Sequence, residues 1–255
     1  MAPRYPACGW WPRRVMGLAW CWPNRGVRGC AHDVELRVAP AVLAAVPLRG
    51  RLVTGDALYR HRALCQQIRA AGGDYLVVVK RNQPRLHADV ALLFTAPPPG
   101  EVFATASQRD RHGDRHEVRH FWASTALRGY VDWPGAHQVC KVERVTTRAG
   151  TVTRQVRYCI TRLDPSVTPA TLLCHVRGHW CIENRLHSVR DVTLGEDASQ
   201  IRSGAAPQVM AAPRKTILAL RRHARWTNIA AALRHIAWQP GAALLLLGIH
   251  PAITK

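Results

Sequence analysis

The sequence is poor in acidic residues. Its 255 residues include 36 Lys and Arg but only 16 Asp and Glu, which leaves a formal net charge of +20 at pH 7. This balance indicates a polyanionic partner such as nucleic acid or, less specifically, an anionic membrane surface. Most of the excess is arginine, because lysine occurs only at positions 80, 141, 215 and 255. A GC-rich coding sequence would explain the preference for Arg over Lys, but not the shortage of acids.

Metal-binding cysteine patterns are also lacking. The eight cysteines contain no CxxC pair, and no Cys/His spacing typical of a zinc site occurs along the chain. This absence excludes the common zinc motifs. We therefore expect scattered, reduced thiols.

Long apolar runs are the third absence. No run reaches the roughly 18 residues that a membrane span needs, and the segment "ALLLLGI" near the end is too short. Trp, Pro and Arg interrupt the N-terminal stretch where a secretion signal would have its apolar region. The sequence therefore predicts a soluble, cytoplasmic protein with no membrane partner.

Strand and helix patterns alternate between residues 35 and 95. A short helical pattern, "VAPAVLAAVPL", precedes a buried strand, "RLVTGDAL". The amphipathic helix "HRALCQQIRAAGG" follows, and Gly72 and Gly73 suit its C-cap. A second buried strand, "DYLVVVK", leads to another helix in "RNQPRLHADVALLF". This order is typical of βαβ units and predicts a parallel or mixed sheet.

The second half of the chain changes character twice. After "APPPGE", residues 101–162 alternate in the manner of antiparallel strands, with Ala149 and Gly150 as one of the turns. Helical patterns then return over about 168–191 and in "APQVMAAPRKTILALRRH", where Pro213 is expected to break or kink the helix. The last short helix, "TNIAAALRHIA", has Thr227 or Asn228 as its predicted N-cap.

Glu183 lies in the middle of an apolar segment with helical periodicity, "RGHWCIENRLHSVRDV". Helical spacing places it on the same face as Leu172 and Val176. A carboxylate directed inward must be paired, protonated or bound to a metal, because burying a lone charge is costly. An ion pair with Arg190 or His187 is one interpretation, and a catalytic metal ligand is the other.

Asp56 raises the same question at the end of a strand. The carboxyl end of a buried strand is where α/β sheets place ligand-binding groups, although Asp at this position also serves as an ordinary helix N-cap. Carboxylates from a strand end and from a helix packed on the same sheet suit Mg²⁺, which supports phosphodiester hydrolysis or transfer. The positive charge would complement a DNA substrate.

Three motifs resemble one family. The run "RGHWCIENRLHSVRDVTLGEDASQIRSG" resembles the Glu-bearing signature, RxHWxIENxLHWxLDVxFxED, of insertion-sequence-four-like DDE transposases in the H-repeat-associated branch. "VTGDAL" and "GGDYLVVVKRNQPRL" are similar to the second-Asp strand and the KxNQ element of that family, and "DRHGDRHEVR" is similar to its HGRxExR element. The signature matches at Arg177, His179, Trp180, Ile182, Glu183, Asn184, Leu186, His187, Asp191, Val192, Glu196 and Asp197.

The resemblance implies a fold and an activity. The fold is α/β, a ribonuclease H-like core of a mixed sheet with flanking helices, interrupted by a β-rich insertion. The activity is DNA cleavage and strand transfer at element ends, with Mg²⁺ or Mn²⁺ held by two Asp and one Glu. On this basis Asp56 and Glu183 are the catalytic metal ligands, and His179 contacts a DNA phosphate or orients Glu183. The implied DNA contacts are Lys80, Asn82, Arg115, Arg119, Arg177, His179 and Arg190. Family transposases generally act as multimers on paired ends, so a homo-oligomer is also implied.

The resemblance also sets the expected domain organisation. Residues 35–95 and 166–225 form the ribonuclease H-like core, and residues 96–165 form the β-rich insertion. A C-terminal helix and tail occupy residues 226–255. Residues 1–34, in which no helical or strand period is found, form an atypical N-terminal segment.

One catalytic residue of the family has no counterpart. The family carries its first Asp upstream of the second, usually in a DGK-type motif, but this sequence has no Asp before Asp33. Two carboxylates cannot hold two metal ions as three do. The departure predicts an N-terminally truncated or degenerate transposase, so a catalytically inactive DNA-binding remnant is the alternative to an active enzyme. A globular protein whose charge only reflects base composition is a third hypothesis.

Overall fold

Two compact units make up the chain, Met1–Trp180 and Cys181–Lys255. A computed structural model describes the backbone of residues 15–17, 39–55, 62–182, 189–196, 198–226 and 228–249. The first unit is built on a mixed sheet of seven strands in the order β1-β2-β3-β7-β6-β5-β4. The strands are β1 (Val15–Gly17), β2 (Leu52–Gly55), β3 (Asp74–Val79), β4 (Ala104–His112), β5 (Arg115–Ser124), β6 (Gln138–Arg148) and β7 (Thr151–Thr161).

Strands β1, β2 and β3 are parallel to one another. The segments LVTG and DYLVVV supply β2 and β3, and nearly all of their residues are buried because helices cover both faces of this part of the sheet. The helix α1 covers 39–44, α2 is Arg62–Ala70 and α3 is Pro84–Thr95. The predicted strand and helix order is therefore confirmed. Strand β1 falls in the stretch that showed no strand period.

Two glycines end α2 as predicted. Gly72 has a φ of 74°, a conformation that favours glycine. The amide of Gly73 donates to the carbonyl oxygen of Ile68 at 2.9 Å, so one of the last carbonyls of the helix is satisfied. A Cβ on Gly73 would lie 2.9 Å from the carbonyl oxygen of Leu48, so only glycine fits against this neighbouring loop.

Strands β4 to β7 form the antiparallel part of the sheet, and β7 joins it to β3. They occupy the stretch predicted to be β-rich. The turn between β6 and β7 consists of Ala149 and Gly150, which have φ values of 45° and 77°. Positive φ at both residues is typical of a type I′ turn, whose twist matches that of the flanking strands. The predicted fold class, a mixed sheet with flanking helices and an inserted β-rich part, is confirmed.

Apolar side chains pack on both faces of the sheet. On one face, α1, α2 and α3 bury a cluster that includes Val53, Tyr75 and Ile160. On the other face, α4 (Pro169–Ile182) packs Leu172, Leu173 and Val176 against the sheet. The sheet therefore lies between two helical layers over part of its width.

The second unit is helical in its described part. It contains a short π-helix, Val189–Thr193, and the helices α5 (Ala206–His223), α6 (Ile229–Trp238) and α7 (Pro240–Leu246). The side chain of Asn228 accepts a hydrogen bond from the amide of Ala231 at 2.9 Å, so Asn228 is the N-cap of α6, as one of the two predicted candidates. The buried side chain of Arg221 donates to the carbonyl oxygen of Ala232 at 2.9 Å and connects α5 to α6.

A break or a kink was expected at Pro213, and the break is wrong, because α5 continues through this residue. Proline has no amide hydrogen, so the carbonyl of Val209, four residues earlier, loses its helical partner. Both residues are exposed, and water can satisfy that carbonyl. The solvent-facing position therefore allows the helix to continue.

None of the described helices combines the length and the apolar character that crossing a membrane requires. The described cysteines are free thiols: Cys65, Cys140, Cys159 and Cys174. Cys140 and Cys159 are buried directly opposite each other on β6 and β7. Burial raises the pKa of the Cys159 thiol to about 12, so it stays protonated and unreactive at neutral pH.

Candidate active site at the ends of β2 and α4

The carboxyl ends of β2 and β3 lie at the same edge of the sheet. Gly55, the last residue of β2, pairs with Val77 in parallel register, and β3 ends two residues later at Val79. Asp56 follows β2 in the sequence, and Lys80 follows β3. This edge of an open α/β sheet is where ligand-binding groups are usually found.

The last turn of α4 reaches this edge. The ring Nδ1 of His179 lies 3.4 Å from the hydroxyl oxygen of Thr54, which is itself buried. Thr54 stands two residues before Asp56, and His179 stands four residues before Glu183, the next residue in the sequence after the described part of α4. Strand β2 and helix α4 are therefore in contact near the points where the sequence continues to Asp56 and Glu183.

The two predicted metal ligands, Asp56 and Glu183, lie outside the described residues. Among the residues that the structure describes, no three His, Cys, Asp or Glu side chains form a metal-binding group. The chemistry of the donors nevertheless fits a divalent ion, because carboxylate oxygens are hard ligands. The contact between His179 and Thr54 is compatible with such a site.

Lys80 and Asn82, both predicted DNA contacts, lie on the segment that leaves this edge of the sheet. Lys80 is exposed directly after β3, and Asn82 is exposed in the turn before α3. Pro84 begins α3, where its fixed φ suits the first turn of a helix. The exposure of both side chains leaves them accessible to a large ligand.

Arg115 and Arg119, two further predicted DNA contacts, are paired with acids of their own sheet. Both guanidinium groups bind the carboxylate of Glu117, whose side chain is only 4% exposed, and Arg119 also binds Asp110, which is 6% exposed. Arg144 of β6 lies 4.0 Å from the same Glu117. Buried carboxylates with several cationic partners form a network that is expensive to disrupt.

Arg177 connects α4 to this network. Its guanidinium lies 3.0 Å from the Asp110 carboxylate of β4. The contact joins the edge strand of the inserted sheet to the helix that leads into Glu183. The roles of Arg115, Arg119 and Arg177 in DNA binding stay predictions, and the structure gives each of them an intramolecular role as well.

Arg190, predicted as a DNA contact, makes a two-pronged ion pair within the second unit. Its Nε and one terminal nitrogen donate to the two carboxylate oxygens of Glu196 at 2.6 and 2.5 Å. Hydrogen bonding to Arg190 lowers the pKa of Glu196, with smaller contributions from Arg214 and Lys215, so Glu196 stays charged at neutral pH. The alternative pairing of Arg190 with Glu183 involves a residue outside the described ones.

Sequence reasoning assigned no role to Thr54, Asp110 or Glu196, the partners of three predicted site residues. The alternation of side chains along β2 could have indicated Thr54. Residues two apart on a strand lie on the same face of a sheet, and Thr54 precedes Asp56 by two positions. Neither Asp110 nor Glu196 could be paired without knowing the strand register or the path of the chain.

The comparison with protein-family models then identifies the family. The model for the transposase DDE domain matches residues 27–220. The chain belongs to the DDE transposase family. Members of this family generally use divalent metal ions and bind DNA, which agrees with the carboxylates at the candidate site and with the net charge of the chain.

Bacterial relatives support the same assignment. The chain is 30% identical over 206 residues to "Putative transposase YncI" of Escherichia coli O157:H7, an overlap of 75% of this chain and 51% of the relative. It is 27% identical over 187 residues to "H repeat-associated putative transposase YhhI" of Escherichia coli strain K12, covering 69% and 48%. The chain thus spans about half the length of the curated relatives it matches. One of these relatives carries the H-repeat-associated name, in agreement with the predicted resemblance.

Proposed function

We propose that this chain acts in DNA transposition, cleaving DNA and transferring its strands at the ends of a mobile element by a DDE-type reaction. Membership in the DDE transposase family supports this proposal. The observation that carries it is the contact between His179 of α4 and Thr54 of β2, since the two elements lead into Glu183 and Asp56. The positive charge of the chain suits a DNA substrate.

In this proposal Asp56 and Glu183 hold Mg²⁺ or Mn²⁺. The bound metal would lower the pKa of the attacking water or 3′-hydroxyl and stabilise the charge on the leaving oxygen. His179, four residues before Glu183 in the sequence, holds the last described turn of α4 against β2 by its contact with the Thr54 hydroxyl.

Lys80 and Asn82 supply the first DNA contacts. Both are exposed on the segment that follows β3, at the sheet edge from which Asp56 also continues. A lysine ammonium and an asparagine amide are suitable donors for phosphate oxygens, and such contacts position the backbone without reading its sequence. Binding by homo-oligomers on paired ends belongs to the same proposal.

A catalytically inactive DNA-binding protein is the second candidate, and one structural feature favours it. β1 lies parallel to β2, with Gly17 opposite Thr54, so β1 ends at the same sheet edge as β2. A carboxylate following β1 would complete the family's set of three, but the sequence has no acidic residue before Asp33. With two carboxylates, the second metal ion would lack a ligand.

A nicking assay distinguishes the two candidates. Supercoiled plasmid bearing the DNA that flanks this gene is incubated with the full chain and Mg²⁺, and the conversion to the nicked form is measured. An active enzyme nicks the plasmid, and both Asp56→Asn and Glu183→Gln abolish nicking while Asp114→Asn, at an exposed turn, retains it. Binding of the plasmid without nicking would support the inactive candidate, and nicking that survives Asp56→Asn would contradict the assigned ligands.

A further inference from the structure

We propose that the outer face of the inserted sheet binds the phosphate backbone of double-stranded DNA through Arg109, Arg111 and Lys141. This inference rests on the proposed action on DNA and assigns it a surface whose residues are none of the matched positions of the family motifs. We call this surface the open face. It consists of Thr105, Ser107, Arg109 and Arg111 of β4, His116 and His120 of β5, and Lys141 of β6. Trp122 of β5 bounds it on the side where the sheet is covered, because Trp122 packs against the core cluster.

Strand register places these side chains together. Arg109 pairs with Val118, Arg111 with His116 and Thr105 with Trp122 across β4 and β5. Trp122 pairs in turn with Lys141 of β6. Residues directly opposite in an antiparallel pair point to the same side of the sheet, and so do residues two apart on one strand. The members of the open face therefore form one continuous surface.

The opposite face of the same strands carries the paired charges. Arg115 and Arg119 alternate with the open-face residues of β5, and they bind Glu117 and Asp110 on the side where Arg177 of α4 contacts Asp110. The acidic residues of β4 and β5 that form these ion pairs, Asp110 and Glu117, therefore lie on the covered side. On the open side Glu143 is the acid of β6, and Arg154 of β7 binds it at 3.0 Å.

The remaining cations of the open face have no carboxylate partner among the described residues. Arg109 and Arg111 are exposed, and the one hydrogen bond of the Arg111 side chain goes to the carbonyl oxygen of Gly113 at 3.4 Å. The Lys141 ammonium lies 4.8 Å from the centre of the Trp122 ring, an arrangement that holds the cation on the surface. Like charges side by side on a sheet repel each other, and a polyanion removes that repulsion.

The chemistry of the face favours duplex DNA over other polyanions. Its cations lie on the surface of a sheet, where they can contact a phosphate backbone without entering a groove. Each phosphate neutralised by a cation releases condensed counter-ions, which gives the contact a measurable dependence on salt. Since the contacts are to phosphate, we expect them to be independent of base sequence.

The test is the salt dependence of DNA binding by the full chain. Affinity for a duplex of arbitrary sequence is measured by fluorescence anisotropy over a series of salt concentrations. For Arg109→Gln with Arg111→Gln we expect the slope of log K against log salt to become shallower by about 1.8, since each lost phosphate contact removes about 0.9. Arg109→Lys with Arg111→Lys keeps both charges and should keep the slope close to that of the unaltered protein.

The matched control is Arg49→Gln with Arg128→Gln. Both arginines are exposed in loops outside the open face, one before β2 and one after β5, so the pair removes the same charge. Melting curves establish that each variant is folded. A slope for Arg109→Gln with Arg111→Gln equal to that of the control would overturn the open-face assignment while leaving DNA binding intact. Binding of anionic lipid vesicles in preference to DNA would also overturn it. If the unaltered chain fails to bind DNA, the proposed function itself is contradicted.

Discussion

The arginines on the two faces of the inserted sheet differ in whether they have carboxylate partners. On the covered face, Arg115, Arg119 and Arg177 bind two buried carboxylates, Glu117 and Asp110. On the open face, Arg109 and Arg111 flank Asp110 along β4, and neither has a carboxylate partner among the described residues. Arginines on one face therefore stabilise the packing of the sheet, whereas arginines on the other face are available to a ligand.

The largest expected effect comes from breaking the covered face at Glu117. Glu117→Gln leaves Arg115 and Arg119 beside a neutral side chain at a site that is only 4% exposed. We expect the free energy of unfolding to fall by about 1.5–3 kcal/mol, because Arg115 and Arg119 lose charged hydrogen bonds to a buried carboxylate. Urea denaturation followed by circular dichroism measures the loss.

The control for that variant is Asp114→Asn. Asp114 pairs with Arg148 in a turn, where its side chain is 62% exposed, and we expect a change within about 1 kcal/mol. Equal losses in the two variants would show that the covered face is no more dependent on its charges than the surface is.

A double-mutant cycle tests whether the covered face couples the inserted sheet to α4. Asp110→Asn and Arg177→Gln are measured singly and together by urea denaturation. Since the two side chains are 3.0 Å apart and the acid is nearly buried, we expect a coupling free energy of about 0.5–3 kcal/mol. Additive effects would mean that the two residues act independently. The pair Arg148 and Asp114 provides the exposed reference cycle, for which a smaller coupling is expected.

The smallest expected effect concerns the turn that maintains the separation of the faces. Ala149 has a φ of 45° in the two-residue turn between β6 and β7. Asn tolerates this conformation better than Ala, so Ala149→Asn should stabilise the protein by about 0.5–1 kcal/mol. A melting temperature above that of the unaltered chain would confirm it. Ala149→Val, which suits positive φ poorly, should destabilise the protein, and an equal response to both substitutions would contradict the turn assignment.

The turn between β6 and β7 helps to set the register of these two strands, and strand register decides which face of the sheet each side chain occupies. A shift of one residue between β6 and β7 would move every side chain of the shifted strand to the other face. Arg154 of β7 would then leave Glu143 of β6. A well-formed turn between β6 and β7 therefore helps to keep paired and unpaired cations apart.

Much of the fold could be predicted from local patterns. Apolar runs identified β2 and β3, alternation identified the β-rich stretch, and the glycines after α2 marked its end. Asn228 was among the two predicted caps of α6. These predictions succeeded because each signal depends on residues close together in the chain. β1 has only three residues, too few to show a period, and it pairs with a strand far along the sequence.

The candidate site was predictable only in part. The motif around Glu183 and the strand end at Asp56 could be recognised, and family membership supports their assignment. Local sequence did not indicate that His179 contacts Thr54, or that Arg190 binds Glu196. Pro213 shows the reverse case, in which a local rule predicted a break and an exposed carbonyl allowed the helix to continue.

By itself the sequence determined that this is a basic, mixed α/β chain of the DDE transposase family, because apolar periodicity and motif spacing are properties of neighbouring residues. Tertiary structure alone decided which of its many arginines are neutralised. Asp110 meets Arg119, 9 residues away, through the pairing of β4 with β5, and it meets the distant Arg177 through the packing of α4. Composition fixes how much charge a protein carries, whereas strand register and helix packing fix where that charge is left for a ligand.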